Sequence, residues 1–244
     1  MVVDMHAHLD LGTDWVVERM LERRLVDIVA LSSLYGGAFP TVRELEKGND
    51  HVLRWMERFP GRVVGFAYVN PRLGEPGLRE LRRSLAAGMR GVKLWISVLA
   101  DDSRVDPYME LAQEAGAIVL AHAWVKTTGN LPFESRPEHV ASLARRFGRL
   151  VVQLAHFGGE WETGVRVAKD VPNMVVDISG TLADSGSVEA LVRAVGAERV
   201  LFGTDNTDFH YCLGKVMGAQ LSEAQRQLIL CGNACRLLGL AASA

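Results

Sequence analysis

Eight strand-length apolar runs alternate with helical patterns along the whole chain, and this alternation limits the fold more than any single motif does. The runs are VVDMHAH (2–8), LVDIVALSS (25–33), RVVGFAYV (62–69), RGVKLW (90–95), AIVLAHAW (117–124), RLVVQLAHF (149–157), NMVVDIS (173–179) and RVLFGTD (199–205). Between them the spacing predicts helices over 14–24, 42–58, 77–87, 106–115, 137–147, 160–170 and 187–195, and a last helix from Ser222 to Leu238. Thr13 or Asp14 is placed to cap the first, and Gly61, Gly88, Gly116, Gly148 and Gly196 stand where helices stop. Such strands need crossover helices, and crossovers are right-handed, so the predicted fold is α/β, a single (β/α)8 TIM barrel over residues 1–244. The rival, an open doubly wound sheet, needs a Gly-rich nucleotide turn after an early strand. The first turn, LDLGT (9–13), has one glycine.

Turns from helix to strand are short, whereas strand-to-helix loops are long at 32–41, 96–106, 124–136 and 206–221. Long loops at the carboxyl ends of barrel strands are where such folds build active sites. Polar residues collect at the same ends: His6 and His8 on strand one, Lys93 on four, His122 on five, His156 on six and Asp205 on eight. In an extended strand residues two apart share a face, so His6 and His8 project together, roughly 6.6 Å apart along the chain. Asp4 has the same parity. Imidazole and carboxylate are metal ligands that an apolar strand would not otherwise select, so a divalent-metal site at the barrel mouth is expected. The alternative is a set of unrelated hydrogen-bonded core histidines. His51 and His139 fall on predicted helices and are read as solvated.

The walls of this mouth hint at the ligand. Trp95, Trp124, Phe157 and Trp161 follow three successive strands and suggest a partly apolar pocket for a ring or acyl group. Arg104, Lys126 and Arg136, in the adjoining loops, are candidates to receive an anionic group, and Asp208 and His210 follow Asp205 closely enough to reach the site or to cap a helix. A net charge of −2 offers no field for nucleic acid or anionic lipid, so a small-molecule substrate is the expected partner, and a homo-oligomer is compatible with the sequence. The opening MVVDMH lacks a basic and apolar leader and no run approaches a membrane span, which reads as cytoplasmic. Cys212, Cys231 and Cys235 read as reduced thiols.

With DMHAH, RGVKLW, LAHAW, LAHFGG, FGTD and the closing GNACRLLGL in this order, the chain resembles the amidohydrolase superfamily, and within it the amidohydrolase-2 branch of metal-dependent hydrolases and some non-oxidative decarboxylases. The resemblance implies that His6, His8, His122 and Asp205 hold a first ion, most simply Zn2+, with one or two ions in all. It gives His156 either a second ion or the substrate oxygen. At Lys93 it implies either a carbamate bridging two metals or, as in single-metal relatives, a free amine; pairing with a nearby carboxylate is the plainer role. Asp205 would be the general base for a metal-activated water and His156 an oxyanion donor, with Trp95, Trp124, Arg104 and Arg136 around the substrate. The expected activity is hydrolysis of an amide, lactone or ester bond in a small, partly apolar molecule. The alternatives are decarboxylation of a hydroxylated aromatic acid on the same site, a TatD-like phosphoesterase or nuclease, and a metal-binding barrel without catalysis. The TatD-like type carries glutamate where Lys93 stands.

Overall fold

The structure, a computed structural model, describes residues 1–240; the expected span to residue 244 runs four residues beyond the described ones. Eight parallel strands run in the order β1 to β8: Val3–Leu9, Ile28–Ser33, Val63–Tyr68, Gly91–Leu94, Ile118–Ala121, Val152–Leu154, Met174–Asp177 and Val200–Leu201. Met5 N–H donates to Phe202 O at 2.9 Å and Asp205 N–H to His6 O at 2.6 Å, which brings β8 back against β1 and nearly closes the barrel. Helices α1 to α7 follow their strands at Asp14–Glu22, Val42–Arg58, Glu75–Ala86, Asp106–Glu114, Pro137–Arg146, Trp161–Lys169 and Ser187–Val195. Thr41 caps α2 reciprocally with Glu44. Thr13 precedes α1 without capping it through its side chain; its hydroxyl receives Asn206 Nδ2–H instead.

Two expectations are corrected. The segment 206–221, read as a loop, contains helix α8 (Phe209–Met217), capped by Asp208 and ended at Gly218. The predicted last helix is divided: α9 (Glu223–Gln227) and α10 (Asn233–Leu238) are joined by a wider turn over Leu228–Gly232. Strands six and eight are also shorter than their apolar runs, and His156, Phe157, Asp205 and Asn206 beyond them adopt positive φ and turn the chain out of the sheet.

The core has two layers, and strand parity assigns them. Ala7, Leu9, Val29, Leu31, Val92, Leu94, Val119 and Val176 face the helices. Val3, Met5, Ala30, Phe66, Ile118, Leu120, Val175 and Leu201 fill the barrel, and Ala234, Cys235 and Leu238 of α10 join them at the end away from the mouth. Phe66 plugs the interior because residue 91 is glycine: a Cβ there would lie 2.5 Å from its ring. In β1 the pairing with β2 slips between Asp4 and Ala7. Odd-numbered Val3 and Met5 thus fill the interior below the irregularity, while even-numbered His6 and His8 face the interior above it. Among the described residues no helix is long and apolar enough to cross a membrane.

Candidate metal centre

Three donor atoms meet at the mouth. His6 Nε2 and His8 Nε2 are 3.0 Å apart, and Asp205 Oδ1 lies 3.5 Å from the first and 3.3 Å from the second. Donors at tetrahedral vertices around a zinc-sized ion, each about 2.0–2.1 Å from it, stand about 3.3 Å from one another, so the three fit a single divalent ion. The far nitrogens explain the arrangement. His6 Nδ1 is 3.0 Å from Asp177 Oδ2, a carboxylate that accepts only, and His8 Nδ1 is 2.8 Å from Ser32 Oγ. With protons on the Nδ1 atoms, two bare Nε2 lone pairs face each other, and a cation is what relieves that opposition.

The surrounding charges support this protonation pattern. Burial opposes ionisation of Asp177, but His6 and His156 beside it, with the Ser179 hydroxyl, hold its carboxyl well below the usual range. Burial likewise opposes ionisation of Asp205, and the neighbouring His156, His6 and His8 overcome it, keeping that carboxyl well below its ordinary value. Burial and the charge of Lys93 push His8 down to about 3, so it is neutral at pH 7. Burial lowers Lys93 to about 8 against the pull of Asp205 and Asp177, and its Nζ lies 3.2 Å from His6 Nε2. At pH 7 the lysine therefore sits among the ligands chiefly as a cation.

His156 is buried, and its Nδ1 is bonded to Ser179 Oγ at 2.8 Å. It stacks on His6 with ring centroids 4.7 Å apart, and its Nδ1 is 3.9 Å from Asp205 Oδ2. His6, His156 and Asp177 also form a close group, but Ser179 Oγ already occupies it, touching His6 Nδ1 at 3.1 Å and bonding Asp177. This second group is an internal hydrogen-bonded network. His122 reaches the mouth, yet its Nε2 faces Glu134 Oε1 at 3.2 Å rather than the three donors.

A cavity of about 220 Å³ opens on the donors, lined by His8, Leu11, Leu34, Lys93, Trp95, His122, Trp124, His156 and Asp205. Trp95 and Trp124 are therefore walls of the pocket. Arg104 is not: it is exposed and forks onto Asp102. Arg136, also exposed, lies 3.7 Å from Glu138. Lys126 bonds Glu134 at 2.8 Å, Phe157 is buried in the core, and Trp161 packs beside a separate cavity. Asp208 caps α8, with His210 exposed on it. His51, read as solvated, bonds Asp10 through Nδ1 and accepts from Trp55, and His139 Nδ1 accepts the Arg136 N–H. The three cysteines are unpaired.

Sequence reasoning did not single out Asp177, Ser179, Ser32 or Glu134. Asp177, Ser179 and Ser32 were reachable, because each shares parity with interior residues of its strand, Val175 for the first two and Ala30 for the third. Glu134 sits in a loop, where no period applies.

The family model described as Amidohydrolase matches residues 3–240. Among solved structures, the chain is similar to 5-carboxyvanillate decarboxylase from Sphingomonas paucimobilis, with a TM-score of 0.77, 13% identity, and coverage of 98% of this chain and 99% of that one. A dihydroxybenzoic acid decarboxylase from Polaromonas sp. JS666, with bound manganese, gives a TM-score of 0.76 at 17% identity, covering 99% and 98%. The 4-oxalomesaconate hydratase of Rhodopseudomonas palustris gives 0.71 at 16% identity, covering 98% and 96%. No curated protein matches the chain in sequence. The family match runs from the start of β1 to just beyond α10, through every strand that supplies a donor, and the chain belongs to the amidohydrolase family.

Proposed function

We propose that this chain is a metal-dependent decarboxylase that releases CO2 from a small hydroxylated aromatic acid without an oxidant. The observation that carries the reading is the convergence of His6, His8 and Asp205 at the base of a cavity of about 220 Å³ walled by two tryptophans. Drug-sized ligands occupy roughly 300–1,000 Å³, so this volume suits a single ring. Two of the fold neighbours named above are decarboxylases of such acids, one with manganese bound, which favours this reading over hydrolysis.

A divalent ion held by the three donors would supply Lewis-acid charge for the acid's carboxylate and adjoining hydroxyl; nitrogen and oxygen donors suit manganese or zinc. Trp95 and Trp124 would orient the ring and exclude water. Asp205 keeps 30% of its side chain exposed to the cavity, whereas His6 is fully buried. As a carboxylate it takes the proton of the ligand hydroxyl and returns it to the ring carbon as the bond to the carboxyl group breaks, so one proton replaces one CO2. Asp177, Ser32 and Ser179 hold the imidazoles in place.

Hydrolysis through a metal-activated water is the second reading, favoured by Asp205 being held in its basic form. Supplying metal-replete protein with hydroxybenzoates and, separately, with esters, lactones and amides distinguishes the two. The proposal expects CO2 from at least one acid; hydrolysis with no CO2 from any acid overturns it in favour of the second reading.

A further inference from the structure

The two glycines that close the LAHFGG run seat the turn after β6 against its neighbours. Four successive residues there are left-handed, His156, Phe157, Gly158 and Gly159 at φ 57°, 54°, 81° and 83°, and Gly159 N–H donates back to His156 O at 2.8 Å. A Cβ on Gly158 would overlap Pro137 Cγ at the start of α5. A Cβ on Gly159 would lie 2.6 Å from Val125 N, 2.7 Å from Trp124 Cγ and 2.8 Å from Trp124 Cα. Two of those three atoms are backbone, so the chain beyond β5, and the indole with it, must move before any side chain fits at 159. Trp124 is half-buried, donates its N–H to Ser135 O at 2.8 Å and lies against His156 with ring centroids 5.3 Å apart. Gly159 lines the separate cavity that Trp161 borders and not the one of about 220 Å³ that Trp124 walls. It bears on the indole from the side away from the ligand, and bulk added there drives the ring inward.

We propose that Gly159 is a positioning residue that fixes where the Trp124 indole stands and so limits the pocket to a single aromatic ring. The ring limit rests on the decarboxylase reading; the hold on Trp124 does not. Gly186 supplies the control. Its φ is also 83°, and a Cβ there meets nothing within 4 Å, so Gly186→Ala carries comparable left-handed strain without the contact.

The probes are ortho-nitrophenol, whose adjoining nitro and hydroxyl oxygens resemble the acid's carboxylate and hydroxyl and which has no CO2 to lose, and the corresponding nitronaphthol, which adds a fused ring. Calorimetric titration into Mn2+-loaded protein is expected to show parent and Gly186→Ala alike, both favouring the single ring. Gly159→Ala is expected to bind ortho-nitrophenol about tenfold or more weakly, the effect of a methylene-sized misfit in an apolar pocket. In a Trp124→Ala background, Gly159→Ala should add no further loss, because it acts through that indole. This pair also carries the test if the single variant does not fold. Fluorine spectra of fluorotryptophan-labelled protein give a reading without ligand: Gly159→Ala is expected to move the Trp124 resonance, assigned by its absence in Trp124→Ala, and Gly186→Ala to leave it in place. An unmoved Trp124 resonance, a further loss in the Trp124→Ala background, or equal binding of the two probes by the parent overturns the proposal. Failure of the parent to bind either probe defeats the decarboxylase reading alone, because the fluorine spectra use neither ligand nor turnover.

Discussion

The two sides of the barrel mouth are built differently. On one, His6, His8, Asp177 and Ser179 come from β1 and β7 or the residues just after them; those four are buried, and each bonds to another strand or its immediate continuation. On the other, His122 and Trp124 follow the four-residue β5, and their partners Glu134, Ser135 and Asn130 lie in the long loop to α5. The first side fixes donors to within tenths of an ångström, as an ion requires; the second shapes a cavity wall through a loop whose sequence can change without disturbing the sheet.

The contrast breaks most severely at Asp205, which belongs to the first side and faces the cavity. Asp205→Asn should lower kcat by about a thousandfold or more while far-ultraviolet circular dichroism stays that of the parent. Near-normal turnover would remove the residue from the chemistry. Asp177→Asn leaves His6 Nδ1 without a full carboxylate and should weaken Mn2+ binding about 10- to 100-fold, read by titration. Trp124→Ala, on the loop side, should raise KM about tenfold, near the low end of the 1–3 kcal/mol that apolar pocket contacts contribute, with Mn2+ affinity unchanged. A matching loss of metal affinity would show that the two sides are not separable. Acid acts on the donor side itself. His8 titrates near 3 when folded and near 6.5 when unfolded, so below 6.5 the unfolded chain takes up a proton that the folded chain refuses. Stability of the metal-free protein should therefore fall as pH drops from about 6.5 toward 3, and His8→Asn should flatten that slope in urea unfolding curves.

The same division explains what could be read from the sequence. The barrel was legible because apolar runs repeat at every unit and glycine marks five of the helix ends, and α2 (Val42–Arg58) falls on its predicted bounds, with the reciprocal Thr41–Glu44 cap at its start. The donors on the sheet side were legible because period-2 parity and histidine or aspartate at strand ends are sequence properties. Where the strands stop was not. His156, Phe157, Asp205 and Asn206 take left-handed conformations that glycine would advertise and these residues do not. Helix α8 was hidden because its residues Phe209–Met217 follow the eighth strand, where a single closing helix had already been assigned to the Ser222 cap. The outward placement of Arg104 and Arg136 was equally unreadable: each meets a nearby carboxylate, Asp102 or Glu138, which satisfies it locally.

The slip in β1 makes the ion site hostage to pairing register. Were the same residues drawn into an unbroken pleat that keeps Val3 and Met5 inside, the imidazoles would turn outward among Val17, Met20 and Leu21 under the helices. Such a chain could retain eight strands and its hydrophobic interior yet present no pair of nitrogens to a cation, so the capacity to bind metal is written in one break of the pleat as much as in the histidines themselves.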